Sequence, residues 1–149
     1  MQIDVILNGK EVAFDVKSDE LLADTLRAYR ISSVRKGCTT TCCGLCTVWI
    51  DGKPVLSCAT LSVRVQGKAI TTMEGVQQEA NEFAQVLVAE GADQCGFCSP
   101  GFIMTVLAMK KELVNPTEED IIHYLTGNLC RCTGYLGQLR AVKKFLGVA

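Results

Sequence analysis

Apolar and polar positions alternate from the start of the chain, with Ile3, Val5 and Leu7 on one side, the period of a half-buried strand. Asn8-Gly9 is a two-residue hairpin signal, and Val12, Phe14 and Val16 supply the returning strand. The period then lengthens. Leu22, Leu26 and Tyr29 share one face of a helix predicted over residues 19–29, with Ser18 as its N-cap. Residues 47–50 and 54–57 flank Asp51-Gly52 as a second hairpin, and residues 69–72 form a last short strand. Beyond Gly75 the spacing is helical. Phe83, Val86, Leu87 and Glu90 lead to Gly91 as a C-cap. Pro100 opens a helix through Ile103, Val106, Leu107 and Lys110, which Asn115-Pro116 breaks. Thr117 with Asp120 caps a further helix running to about Thr126, and a last one spans residues 136–146. The pattern predicts an α+β chain in two domains, residues 1–75 and residues 76–149, with the boundary near Glu74-Gly75 and the second domain a compact helical bundle.

Composition narrows the function classes. The chain has 149 residues, 48% of them hydrophobic and 21% charged, with a formal net charge of -1. That is a globular composition with no basic excess for nucleic acid. Met1-Gln2-Ile3-Asp4 lacks the features of a secretory leader, and no apolar run reaches the roughly 18–20 residues a bilayer requires. A soluble cytoplasmic protein is expected.

Nine cysteines change the picture. In a reducing compartment they read as metal ligands before disulfides, and an odd number leaves one unpaired in any full disulfide scheme. They fall into two groups: Cys38, Cys42, Cys43, Cys46 and Cys58, then Cys95, Cys98, Cys130 and Cys132. Two sites on two domains follow.

Cys38-x4-Cys43-x2-Cys46 with a distant Cys58 has the plant-type ferredoxin spacing, in which one tight loop holds three thiolates of a [2Fe–2S] cluster. Gly37 and Gly44 are expected to let the backbone approach the sulfurs. A structural zinc site is the rival, but zinc prefers two short pairs of ligands. Cys42 is left over, and reads as a buried thiol beside the cluster in preference to a redox sensor. Cys95-x2-Cys98 and Cys130-x-Cys132 each precede a predicted helix, where free N–H groups stabilise anions. Residues 34–50 and 127–149 contain no Asp or Glu, while Arg35, Lys36 and Arg131 lie beside the cysteines. Such a distribution favours negatively charged clusters.

Gly37-Cys38-x4-Cys43-Gly44-x-Cys46-Thr47-Val48, Ser57-Cys58, the run from Gln94 to Gly101 and the run from Gly127 to Tyr135 together resemble the iron–sulfur subunit of the molybdenum hydroxylases. Xanthine dehydrogenase, aldehyde oxidoreductase and carbon monoxide dehydrogenase are members. The resemblance implies a β-grasp ferredoxin domain followed by a four-helix domain, each with one [2Fe–2S] cluster. It implies a large partner subunit carrying a molybdenum–pterin and a medium subunit carrying FAD, hence a hetero-oligomer. It also implies that Gln94 contacts the pterin, whereas residue chemistry alone reads Gln94 as a helix-end amide satisfying backbone groups. The chain would relay electrons between the pterin and FAD or another acceptor, with no catalytic residue of its own. Thr41 stands where the family usually carries glycine and Leu45 where it carries alanine, both adding bulk near the first cluster. A freestanding two-cluster electron carrier and a zinc-stabilised interaction module are the alternatives. His123 reads as a partly exposed helix residue, Trp49 as a sheet residue on the core or at a subunit contact, and Lys143-Lys144 as a solvated helix face.

Overall fold

The computed structural model describes residues 1–148. Strands β1 (Gln2–Leu7) and β2 (Lys10–Asp15) pair antiparallel through a turn in which Asn8 and Gly9 both have positive φ, as a type I′ hairpin requires. The second hairpin joins β3 (Thr47–Ile50) to β4 (Lys53–Leu56) by the same device at Asp51-Gly52. Strand β5 (Ala69–Thr71) runs parallel to β1 and antiparallel to β3, which completes a sheet in the order β2-β1-β5-β3-β4. Helix α1 (Leu22–Ala28) buries Leu22, Ala23 and Leu26 in one core with Ile3, Val5, Phe14, Val48 and Ile70. The Tyr29 ring lies 4.4 Å from that of Phe14.

Helix α1 begins three residues later than periodicity predicts, and Ser18 does not cap it. The backbone before it is committed elsewhere. Leu21 bridges to Leu61, Leu22 N–H donates to Thr60 O at 2.8 Å, and Ser62 N–H donates to Glu20 O at 2.8 Å. These are long-range bonds to the segment that carries Cys58, invisible to a local reading.

Four helices follow: α2 (Gln77–Ala89), α3 (Ser99–Glu112), α4 (Glu118–Tyr124) and α5 (Leu136–Leu146). Helix α3 is buried continuously from Pro100 to Met109, because α2 covers one side and the sheet another. Trp49 of β3 belongs to this second core and donates from its indole N–H to Met104 O at 3.0 Å. Thr117 and Asp120 form a capping box at α4. The helix ends at Tyr124, short of the expected Thr126, whose hydroxyl donates to His123 O at 2.8 Å. Lys143 and Lys144 are not simply solvated: Lys143 pairs with Glu118 and Lys144 pairs with Glu90 at 3.1 Å, tying α5 to α4 and α2.

Two junctions hold the halves together. At Asn8, the side chain donates to Thr72 Oγ1 at 3.0 Å and accepts from Thr72 N–H at 2.9 Å. Glu74 accepts from Ser33 N–H (3.1 Å), Ser33 Oγ (2.6 Å) and Thr72 Oγ1 (2.6 Å). Partial burial opposes ionisation of Glu74, but these donors hold its carboxyl below the usual range. The second junction is a backbone contact. A Cβ on Gly101 would overlap Gly44 O and lie 2.8 Å from Leu45 Cα, and one on Gly44 would overlap Gly127 O.

Gly101→Ala therefore destabilises the fold by about 1–3 kcal/mol, because rigid backbone must give way. Gly127→Ala, with open space at its Cβ, is the near-neutral control; thermal unfolding of both variants measures the difference. For Glu74 the sign follows from the depressed pKa. Its stabilisation is present above the unfolded-state pKa and is lost as pH falls through the folded-state value. Glu74→Gln costs about 1 kcal/mol near pH 7 after discounting for screening, and the gap to the parent closes on acidification in urea titrations.

Candidate metal centres

Hairpin register builds half of the first centre. Thr47 pairs with Leu56, so the residues flanking that pair, Cys46 and Ser57-Cys58, meet at the same end of the ladder. Ser57 N–H and Oγ both donate to Cys46 O, at 3.3 and 2.7 Å. The other half is the loop from Gly37 to Cys46. Backbone N–H groups of Thr40, Cys42 and Cys43 point at the Cys38 sulfur. Contact with the Cys43 thiol first, then those donors, lowers the pKa of Cys38 to about 6. Burial pushes the Cys43 thiol up, and it pushes Cys58 up to about 12, with the adjoining Cys46 thiol adding to the effect.

Two loop details differ from expectation. Gly37 does sit near a sulfur, its Cβ position being 3.6 Å from Cys43 Sγ. Gly44 does not serve that purpose; its missing Cβ makes room for the backbone at Gly127 in the second centre. Cys42 is exposed rather than buried, and its sulfur lies 3.1 Å from Thr40 Oγ1. Thr41 adopts φ 56°, the left-handed region that a β-branched residue enters only at a cost, which is why a glycine is natural there. Leu45 is buried and faces the second centre, lining the narrow space shared by Cys43, Cys98 and Cys130.

The second centre joins the start of α3 to the loop before α5. Cys132 Sγ lies 3.4 Å from Cys95 Sγ, and Cys98 pairs with Cys130. Cys98 is the N-cap residue of α3, yet burial outweighs the helix terminus and pushes its thiol up to about 11. Burial also opposes ionisation of Cys130, but the Thr133 hydroxyl at 3.1 Å and the N–H groups of Thr133 and Cys132 hold its pKa below the ordinary value. Contact with the Cys95 thiol raises Cys132. Three polar side chains at this centre escape a cysteine-based reading. The buried Gln138 directs its amide nitrogen at Cys98 Sγ (3.8 Å), Thr133 reaches Cys130, and Tyr135 Oη accepts from Cys130 N–H at 3.1 Å. Only the run Cys-Thr-Gly-Tyr hinted at the last two.

All nine cysteines are free thiols. Among the described residues no three His, Cys, Asp or Glu side chains close on one point as for a single ion. The sulfurs form four pairs instead: 38 with 43, 46 with 58, 95 with 132, and 98 with 130. A dinuclear iron–sulfide rhomb takes two thiolates at each iron, so four sulfurs in two neighbouring pairs suit it. Thiolates as buried as Cys43, Cys58 and Cys98 need a cation to offset desolvation. The two centres adjoin. A cleft of about 380 Å³ is lined by Cys38 and Cys43 on one side and by Cys95, Cys98, Cys130 and Cys132 on the other. Leu129 N–H donates to Cys43 O at 2.9 Å, linking the residue before Cys130 directly to a first-centre cysteine.

Gln94 stands exposed beside Cys95, and its amide makes no hydrogen bond among the described residues, so it does not satisfy backbone groups as a helix-end amide would. His123 is exposed on α4. Among the described residues no helix is long and apolar enough to cross a membrane.

Comparison with known proteins agrees with this arrangement. A 2Fe-2S iron-sulfur cluster binding domain matches residues 5–82, and a [2Fe-2S] binding domain matches residues 72–143. The nicotinate dehydrogenase small FeS subunit of Eubacterium barkeri is 38% identical over 144 residues, covering 95% of this chain and 92% of that one. The xanthine dehydrogenase iron-sulfur-binding subunit of Escherichia coli is 39% identical over 140 residues, covering 89% of this chain and 86% of that one. The crystal structure of the aldehyde oxidoreductase from Desulfovibrio desulfuricans superposes with a TM-score of 0.90 at 36% identity; it covers 98% of this chain, which spans 17% of that longer one. With both cluster-binding domains in order and relatives matched over almost their whole length, this chain belongs to the family of small iron–sulfur subunits of the xanthine dehydrogenase, nicotinate dehydrogenase and aldehyde oxidoreductase enzymes.

Proposed function

We propose that Cys38, Cys43, Cys46 and Cys58 hold one [2Fe–2S] cluster, that Cys95, Cys98, Cys130 and Cys132 hold a second, and that the chain is the electron relay of a molybdenum hydroxylase. Residues 1–75 then form a β-grasp ferredoxin domain and residues 76–149 a four-helix bundle. Bound there, the clusters supply reversible one-electron chemistry. The single observation that carries the relay is the Leu129 N–H to Cys43 O bond, which puts one hydrogen bond between the ligand-bearing backbones of the two centres. Cys43 and Cys46 are buried at the first centre, while the N–H groups around Cys38 and the Thr133 hydroxyl stabilise charged sulfur. No side chain here is asked to make or break a substrate bond.

The second centre faces the partner in this reading. Phe97, Leu129 and Tyr135 line its cleft and, with the neighbouring Leu136, are large apolar side chains left exposed, the last by 64%. A patch of that kind supports a permanent subunit contact over brief collisions. The exposed Gln94 next to Cys95, its amide without a hydrogen bond among the described residues, supports a contact with a pterin on a molybdenum-binding large subunit. An FAD-bearing medium subunit is the proposed acceptor, and the cytoplasm the proposed compartment.

Native protein contains about four irons and four acid-labile sulfides per chain, with visible absorption that dithionite bleaches. Cys132→Ala lowers the iron to about two, whereas Cys42→Ser leaves it at about four. Size-exclusion chromatography of the native protein shows iron co-eluting with molybdenum. A lone small species carrying all the iron would instead mark a freestanding carrier.

A further inference from the structure

Arg35 belongs to the first loop but touches the second centre. It lies three residues before Cys38, and its own N–H donates to Leu45 O at 3.3 Å, pinning it to the loop's returning side. Its guanidinium donates to Gly96 O at 2.6 Å, between Cys95 and Cys98, and its Cζ lies 5.2 Å from the centroid of the Phe97 ring. The Phe97 ring in turn reaches to 3.6 Å from the Cβ position of Gly37, next to Cys38. Gly96 has φ 69°, and its carbonyl also receives Ser99 N–H at 3.4 Å. One half-buried side chain therefore spans from the root of one cysteine loop to the turn of the other.

Its charge is uncompensated. Lys36, the next residue, pairs with Asp24 at 2.8 Å, whereas no carboxylate lies within 4 Å of Arg35 among the described residues. Asp93, the acid next to this turn, is bound to Ser99 Oγ at 3.2 Å. Arg131, which lines the cleft between the cysteine sets, is exposed and therefore screened. A guanidinium suits this position because it stays ionised when half buried, stacks on a ring and donates in its plane.

Building on the two-cluster reading, we propose that Arg35 is a positioning residue for both centres: it clamps the Gly96–Phe97 turn to the first loop and fixes one positive charge at the junction of the two cysteine-bearing loops. A positive charge there favours the added electron at either centre, so both reduction potentials are held up together.

The test uses the complete complex carrying Arg35→Gln, with Arg35→Lys as the second variant, and reads iron, sulfide and the midpoint potential of each cluster by EPR-monitored titration. Four irons and four sulfides in the parent establish the reading beneath the proposal independently of what Arg35 does. In Arg35→Gln the iron stays and both potentials fall, the nearer one by a tenfold change in the reduction equilibrium, which is about 59 mV for one electron. Arg35→Lys restores most of that fall. Unchanged potentials in Arg35→Gln, or a fall at one cluster alone, overturn the proposal. Should Arg35→Gln lose its iron, Arg35→Lys decides: clusters retained with both potentials within threefold of the parent equilibrium support a charge at this point, and lost iron or fallen potentials refute it.

Discussion

Three stretches of backbone meet without side chains between them, and the rest of the molecule is arranged around that contact. Gly44 of the first cysteine loop, Gly101 in the first turn of α3 and Gly127 after α4 touch so closely that a methyl group on either of the first two would strike main chain. Leu129 N–H can then reach Cys43 O, and Cys38 and Cys43 face the four cysteines of the second set across one cleft. Side chains between packed helices ordinarily hold their axes about 8–10 Å apart. Glycine removes that spacer, and a short through-bond connection becomes possible.

The contact also explains how two cores share one sheet. Trp49 comes from the ferredoxin-type hairpin but is buried among residues of α2 and α3, with its indole N–H satisfied by Met104 O. Lys111 Nζ sits 4.1 Å from the centre of its ring, closing the far side with a cation–π contact. At the opposite end, Asn8, Ser33, Thr72 and Glu74 form a polar junction. The apolar contact supplies burial, and the polar one supplies direction. Between them the two halves have little freedom to change the separation of their cysteines.

Electrostatics at the cysteines is a balance between burial and donors. Cys38 is surrounded by N–H groups and ionises easily, whereas Cys43, Cys58 and Cys98 are desolvated and resist it. Iron held at these sulfurs, as proposed, would supply the missing positive charge and couple loading to folding. Residues 34–50 and 127–149 carry no acid, which favours the reduced state of a negatively charged cluster beside them. Lys143 and Lys144, by contrast, spend their charge on bracing α5 against α4 and α2.

Much of this was legible from residue order. Asn8-Gly9 and Asp51-Gly52 dictate hairpins because only positive φ gives the matching twist, and both turns have it. Thr117 with Asp120 and Gly91 marked helix ends by local hydrogen bonding, and helix 136–146 followed its apolar period. The two cysteine groups followed from spacing alone. What escaped depends on neighbours distant in sequence. The late start of α1 is set by bonds to residues 60–62, the exposure of Cys42 by the path of its loop, and the purpose of Gly44 by Gly127. Gln138 and Arg35 carry no motif; tertiary folding alone brings an amide to Cys98 and a guanidinium to Gly96. Local backbone preference and ligand spacing are properties of a segment, so sequence could decide them. Which charge or amide comes to face a sulfur is a property of packing, and only the fold could decide that.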